Sequence, residues 1–270
     1  MACYEGGSFG GGINPWLERL GKLRNVVRQE LVARQLARHL PPSPATVLDV
    51  GAGQGTQAVR LAQRGDRVMA IEPDREMRAA FRETLSGLSA ETMARVSLVD
   101  GALGELADAT RGDTFDVVCC QGVLMYLDDP APAIAELVAT VAPGGLLSLV
   151  ARNADGMALR PGLRGDWQGV QRMLDAAQHD RRYPNEIGVE ARADRVDEIA
   201  SLVRSHGLEV EAWYGVRVLT DGVDAETPVP NDPAELAALL DAEDRVGRTD
   251  PYRRVGTLFH LIARRSGRVG

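Results

Sequence analysis

The sequence predicts an α/β fold, an open and doubly wound parallel sheet with helices on both faces. Two observations carry this reading. Short apolar runs alternate with helically spaced segments from residue 45 to residue 151, the rhythm of parallel strands joined by crossover helices. A glycine-rich turn, Gly51-Ala52-Gly53-Gln54-Gly55, follows the first apolar run and opens the first helix of the alternation. A length of 270 residues, 44% hydrophobic and 26% charged, supplies one sizeable core.

The elements follow in order. The first dozen residues are glycine-rich and are expected to order only over a bound ligand, with Lys22 close behind. Leu23, Val27, Leu31, Leu36 and Leu40 lie near helical spacing, and Pro41-Pro42-Ser43-Pro44 ends that helix. Strands are expected at Ala45–Val50, Arg67–Ile71, Val96–Val99, Phe115–Cys120 and Leu146–Ala151. Helices are expected at Gln57–Arg64, Glu76–Leu85 and Ala131–Val141. Beyond Arg152 the rhythm breaks into short pieces around Gly156, Pro161, Gly162, Gly165, Trp167, Gly169 and Pro184. A helix at Val196–His206 with Gly207 as its cap, a strand-like Glu209–Leu219, a helix at Pro233–Arg245 and a last strand at Thr257–Ala263 complete the chain. The implied organisation is a cofactor-covering segment and helix at 1–40, a cofactor-binding core at 41–152, a substrate-covering helical insertion at 153–190 and completion of the core sheet at 191–270.

Composition narrows the function classes. The net charge of −7 leaves no global electrostatic footprint for nucleic acid. No apolar run approaches the ~20 residues that span a bilayer, and Met1–Gly7 lacks the basic start of a secretory signal. Cys3, Cys119 and Cys120 make no disulfide framework, so free thiols and a cytoplasmic location are expected. Apart from Lys22 every basic side chain is an arginine, a compositional bias that by itself says nothing about phosphate binding.

The glycine turn carries the chemistry. Its spacing is G-x-G-x-G, whereas dinucleotide-binding turns favour G-x-G-x-x-G. Glycines let the backbone approach a ligand closely, and a helix N-terminus behind them suits an anionic or dipolar group. Asp49 precedes the first glycine, placed to hold a ligand ammonium. Glu72 ends the second strand, where a carboxylate accepts from both hydroxyls of a ribose. Asp100 ends the third strand with Leu103 just beyond, and Gln121 closes the fourth at the mouth of the crevice.

With these residues in view, Val47–Thr56, Ile71-Glu72-Pro73, Phe115–Val118 and Ala142–Leu147 resemble the successive motifs of class I S-adenosylmethionine-dependent methyltransferases. The resemblance implies a Rossmann-like sheet of seven strands with the last antiparallel, and S-adenosylmethionine as cofactor. A narrower likeness reaches both chain ends: Leu20–Arg24, Gln121–Tyr126, Asn153–Gly156, Gly215–Val218 and Asp250-Pro251-Tyr252 resemble the bacterial tRNA 5-carboxymethoxyuridine methyltransferases, which esterify a modified wobble uridine. It implies cofactor contacts from Arg24, the loop glycines Gly51, Gly53 and Gly55, Glu72 and Gln121; Asp49, Ala52, Pro73 and Leu103 are expected to complete the cofactor site. The family commonly has histidine at position 121, aspartate at 72 and Asn-Ala-His where this chain has Asn153-Ala154-Asp155.

The acceptor is expected to be tRNA or a small molecule, without a membrane partner. A hydroxyl acceptor benefits from a general base, whereas an ionised carboxylate needs only orientation. His39, His179, His206 and His260 all have ordinary structural placements in the sequence, and no catalytic residue is assigned. Arg152, Asn153, Arg217 and Tyr126 are the expected acceptor-side residues, since guanidinium forks bind carboxylates. No metal site is expected.

Overall fold

A computed structural model describes residues 19–179, 181–184 and 190–267; the glycine-rich start and Cys3 lie outside them. Within this range α1 (Leu23–Ala37) precedes β1 (Thr46–Val50), α2 (Thr56–Arg64), β2 (Arg67–Ile71) and α3 (Arg75–Ser86). The single-turn α4 (Ala90–Met93), β3 (Val96–Val99), single-turn α5 (Leu106–Ala109), β4 (Phe115–Gln121), α6 (Ala131–Ala139) and β5 (Val141–Arg152) come next. Then follow α7 (Leu159–Leu163), α8 (Trp167–Gln178) and the hairpin β6 (Arg182–Pro184) with β7 (Glu190–Arg192). The chain closes with α9 (Val196–Ser205), β8 (Leu208–Val216), α10 (Pro233–Gly247) and β9 (Leu258–Arg265).

The main sheet has the order β3-β2-β1-β4-β5-β9-β8. The first five strands are parallel, and β9 runs antiparallel to both β5 and β8. The seven strands with an antiparallel last strand are those the resemblance implied. Successive strand residues face opposite sides, so the interior strands are apolar on both. On one face Leu48, Val118, Cys120, Leu147 and Leu149 pack against Ile134, Leu137 and Val138 of α6 and Ile199 and Val203 of α9. On the other, Val47, Val117, Cys119 and Ile262 meet Ala58, Val59 and Leu61 of α2, Phe81 of α3 and Leu36 of α1. Each fully buried aliphatic or aromatic side chain contributes about 1.5–3 kcal/mol.

Strand order reverses between β1 and β4, and in open parallel sheets ligands bind at that switch, beyond the C-terminal strand ends. Here the cleft opens. α3 is set beside it by Asp74, whose carboxylate caps the helix by accepting from Glu76 N at 2.8 Å and Met77 N at 3.0 Å.

Two local details depart from the expected boundaries. β5 begins at Val141 because Val141 already pairs with Phe115. The register then jumps to Val117↔Leu146, so Ala142–Gly145 forms an irregular excursion inside the ladder. Gly145 fits there because a Cβ would lie 2.9 Å from the carbonyl oxygens of Ala142 and Phe115. β8 stops at Val216 rather than continuing to Leu219, since Arg217 adopts φ +58° and turns the chain.

Candidate cofactor and acceptor cleft

The cleft, about 280 Å³, is floored by the ends of β1, β2 and β4 and walled by α1 and the turn after β4. Its first feature is the turn after β1. Gly51, Gly53 and Gly55 all have positive φ, a region side chains rarely adopt. Gly55 also needs to be bare: a Cβ there would lie 2.1 Å from the buried Phe81 ring. The turn is pinned to β2 by Gly51 N and Ala52 N, which both donate to Ile71 O at 2.8 and 3.1 Å.

Glu72 joins two loops. Its Oε2 accepts from Gly53 N at 2.8 Å and its Oε1 from Asp74 N at 2.9 Å. Burial raises its pKa, and those two backbone donors oppose the rise. Asp49 lines the cleft, is buried, and receives no hydrogen bond from the described residues. Burial, with the Glu72 charge adding to it, pushes the Asp49 carboxyl up to about 7. Pro73 and Leu103 line the same end. Asp100 instead stands largely exposed, paired with Arg78 Nη2 at 2.6 Å. The Arg78 Nη1 donates to Glu72 O and Pro73 O at 2.8 and 2.7 Å, tying the ends of β2 and β3 together; no motif in the sequence marked it.

The opposite end is basic. Arg19, Arg28, Arg152, Arg160 and Arg217 line it together with Tyr126. Arg152 is anchored on neutral groups, donating to Tyr183 O at 3.1 Å and Ala191 O at 2.8 Å, with its guanidinium 5.7 Å from the Tyr183 ring centre. Burial lowers its pKa, and nearby Arg217 lowers it further while Tyr126 raises it. Burial and Arg217 likewise pull Arg28 down to about 10. Arg217 has a counter-ion in Asp221 at 2.5 Å. Burial would raise Asp221, but Arg217 and its neighbours hold it below the usual carboxylate range. Among the described residues cationic side chains therefore outnumber carboxylates in the cleft, and the carboxylates Asp49 and Glu72 sit together at one end.

Not every expected residue reaches the cleft. Arg24 is buried in α1 and acts electrostatically on Asp221 instead. Its place in the wall is taken one turn later by Arg28, whose Nη2 donates to Gln121 O at 3.0 Å. Gly122 makes room, since a Cβ would sit 2.4 Å from that nitrogen. The i, i+4 spacing on one helix was the available signal for Arg28. Gly55 lies behind the wall, against Phe81. Asn153 is fully buried and its amide donates to Arg254 O and Gly256 O at 2.8 Å, fastening β5 to the segment before β9. Asp49, Gly51, Ala52, Gly53, Glu72, Pro73, Leu103, Gln121, Tyr126, Arg152 and Arg217 all line the cleft. Arg160, Gln57, Met77 and Leu258, which the sequence reading did not select, line it too.

Comparisons with known proteins bear on this site. A family model described as a methyltransferase domain matches residues 48–149. The tRNA 5-carboxymethoxyuridine methyltransferase of Escherichia coli (strain K12) is 27% identical over 91% of this chain and 89% of its own length. A ubiquinone biosynthesis O-methyltransferase of Xanthomonas axonopodis pv. citri (strain 306) is 30% identical over 71% of this chain and 72% of its own. Among solved structures, magnesium protoporphyrin IX methyltransferase from Synechocystis PCC 6803, with S-adenosylhomocysteine bound, aligns over 96% of this chain and 97% of its own. Its TM-score is 0.62 at 16% identity. Among the described residues no helix is long and apolar enough to cross a membrane. The sheet order, the glycine turn followed by an acid on β2, and these relatives together show that the chain belongs to the S-adenosylmethionine-dependent methyltransferases.

Proposed function

We propose that this enzyme O-methylates a carboxylate on a modified tRNA wobble uridine. The observation that carries the reading is the polarised cleft, with carboxylates at one end and the arginines Arg28, Arg152, Arg160 and Arg217 at the other. The 27% identity to a tRNA 5-carboxymethoxyuridine methyltransferase over nearly the whole chain supports it.

When bound, the cofactor supplies an electrophilic methyl group on a sulfonium. Asp49 would hold the cofactor's ammonium as a buried carboxylate lacking a described hydrogen-bond donor, and Glu72 would accept from the ribose hydroxyls at the end of β2. The glycine turn holds the amino-acid end, and Leu103 and Pro73 flank the adenine. At the acceptor end the arginines orient an ionised carboxylate for in-line attack and Tyr126 walls the base. An ionised carboxylate has no proton to lose, and among the described residues lining the cleft there is no histidine to take one.

Asp49 makes cofactor binding pH-dependent. Its folded pKa of about 7 exceeds the unfolded value near 4. Between those values the ligand-free fold holds a proton that the unfolded chain releases, so this contribution to stability is full below about 4, falls as pH rises from there and is gone above about 7. A ligand ammonium requires the ionised form. S-adenosylhomocysteine is therefore expected to bind up to about tenfold tighter per pH unit from about 5.5 to 7 and to level off above. Calorimetry in buffers of different ionisation enthalpy should register proton release on binding, and Asp49→Asn should flatten the profile.

The acceptor class is tested by incubating the enzyme and methyl-labelled cofactor with separated small-RNA and metabolite fractions of the source cell. Label in RNA that nuclease releases as a modified uridine is expected. Label confined to metabolites would instead favour a small-molecule O-methyltransferase, the reading to which the likeness to ubiquinone biosynthesis enzymes points.

A further inference from the structure

We propose that Gln35, Ser148 and His260 are positioning residues that set the side-chain amide of Gln121 with its oxygen toward the cofactor's ammonium. Ser148 and His260 lie beneath α1, on the sheet face that also carries Asp49 and Cys119, and Gln35 reaches down to them from α1 itself. Gln121 of β4, Val150 of β5 and His260 of β9 stand in one row of the sheet. Val150 is apolar, so Gln121 and His260 do not meet directly. Ser148, two residues back on β5, reaches both: its Oγ is 3.2 Å from Gln121 Nε2 and 2.8 Å from His260 Nε2. On the other side of the ring His260 Nδ1 lies 2.9 Å from Gln35 Oε1. Ser148 and His260 are fully buried, as is Gln35.

A neutral imidazole donates from one nitrogen and accepts at the other. His260 is kept neutral by its burial, which drives it down to about 3 with some help from His39. The four groups consequently have two self-consistent settings. In the one that agrees with the placement of the Gln35 and Gln121 amide atoms, His260 Nδ1–H donates to Gln35, Ser148 O–H donates to His260 Nε2, and Gln121 Nε2–H donates to Ser148. The Gln121 Oε1 then remains as an acceptor in a side chain that lines the cleft. In the reversed setting every arrow turns round and Gln121 points an N–H into the cleft. Gln35 Nε2 is buried with no hydrogen-bond partner among the described residues, so Gln35 alone does not favour the first setting. The ligand decides: an ammonium only donates, and Gln121 Oε1 with Asp49 offers it acceptors.

α1 grips Gln121 twice. Gln35 controls its side chain through the relay, and Arg28, seven residues earlier on the same helix, donates to its backbone oxygen at 3.0 Å. Docking of α1 and the geometry of the cofactor's amino-acid end are thereby coupled.

The test reads the tautomer first. In the full chain labelled with ¹⁵N-histidine and saturated with S-adenosylhomocysteine, His260 should carry its proton on Nδ1. A proton on Nε2 would overturn the proposal. The second reading is Ser148→Ala, which frees the Gln121 amide with a small change of volume. Its Kd for S-adenosylhomocysteine should rise about tenfold, the effect of one hydrogen bond. Its Kd for 5′-methylthioadenosine, which lacks the amino-acid end, should stay within about twofold. Equal weakening of both ligands, or of neither, would contradict a positioning role. If the variant does not fold, the wild-type tautomer decides alone.

Discussion

Glu72→Gln is expected to raise the Kd for S-adenosylhomocysteine about 100-fold, equivalent to about 2.7 kcal/mol. Both carboxylate oxygens accept from backbone amides, Gly53 N at 2.8 Å and Asp74 N at 2.9 Å. A side-chain amide keeps one acceptor and turns an N–H against the other donor. A buried unsatisfied donor costs about 1–3 kcal/mol, so Gly53 or Asp74 must move, and with them the turn or the N-terminus of α3. The carboxylate proposed to accept from the ribose hydroxyls is lost as well. Glu72→Asp keeps the charge but withdraws it by a methylene, and should fall between wild type and Glu72→Gln. Calorimetric titration checks the series, and a change below about threefold for Glu72→Gln would refute the proposed role.

Arg152→Met is expected to lower kcat/KM for the acceptor about 100-fold while leaving S-adenosylhomocysteine affinity within about twofold. The side chain touches the neutral oxygens of Tyr183 and Ala191 and the face of Tyr183. Its removal therefore strands no buried carboxylate. A planar guanidinium contacts a carboxylate with two donors at once, which an ammonium does not reproduce, so Arg152→Lys should recover little activity. Arg217 is a poorer probe of the same idea. Its loss leaves Asp221 buried without its ion-pair partner, and breaking such a pair typically costs 3–5 kcal/mol, so Arg217→Met should first appear as a lower Tm. Steady-state kinetics on the RNA acceptor with binding and melting controls separates the two cases.

The parallel half of the sheet was legible because its strands are short apolar runs bounded by turns, and the interior runs β1 and β4 are buried on both faces. Where boundaries slipped, tertiary geometry outweighed local pattern. Proline and two glycines at 143–145 read as a turn before a strand, yet the ladder continues across them as an irregularity because Val141 already pairs with Phe115. The strand over 209–219 was read too long, since nothing in Arg217-Val218-Leu219 announces the positive φ at Arg217.

The carboxylate end of the cleft was more legible than the arginine end. Its residues lie on consecutive strand ends, where sequence order and spatial order agree in a parallel sheet. The arginines of the other end come from α1, β5, α7 and the turn after β8, and periodicity does not say which side of a helix faces a cleft assembled from such distant pieces. Arg24 and Arg28 show the difficulty, as neighbours one turn apart on α1 with opposite fates. Asn153 shows another: its buried amide binds two backbone oxygens of the chain itself. The polar relay of Gln121, Ser148 and His260 depends on the register between β5 and β9, which no local pattern in the sequence announces.

The most direct test of the acceptor chemistry is the bond that the enzyme makes. RNA labelled by the purified enzyme and methyl-labelled cofactor should be treated with mild alkali and the volatile product collected. A carboxylate acceptor held by the arginine end of the cleft predicts a methyl ester, with the label released as methanol and the wobble carboxylate restored. Label that survives alkali on a ring nitrogen or in an ether linkage would contradict it.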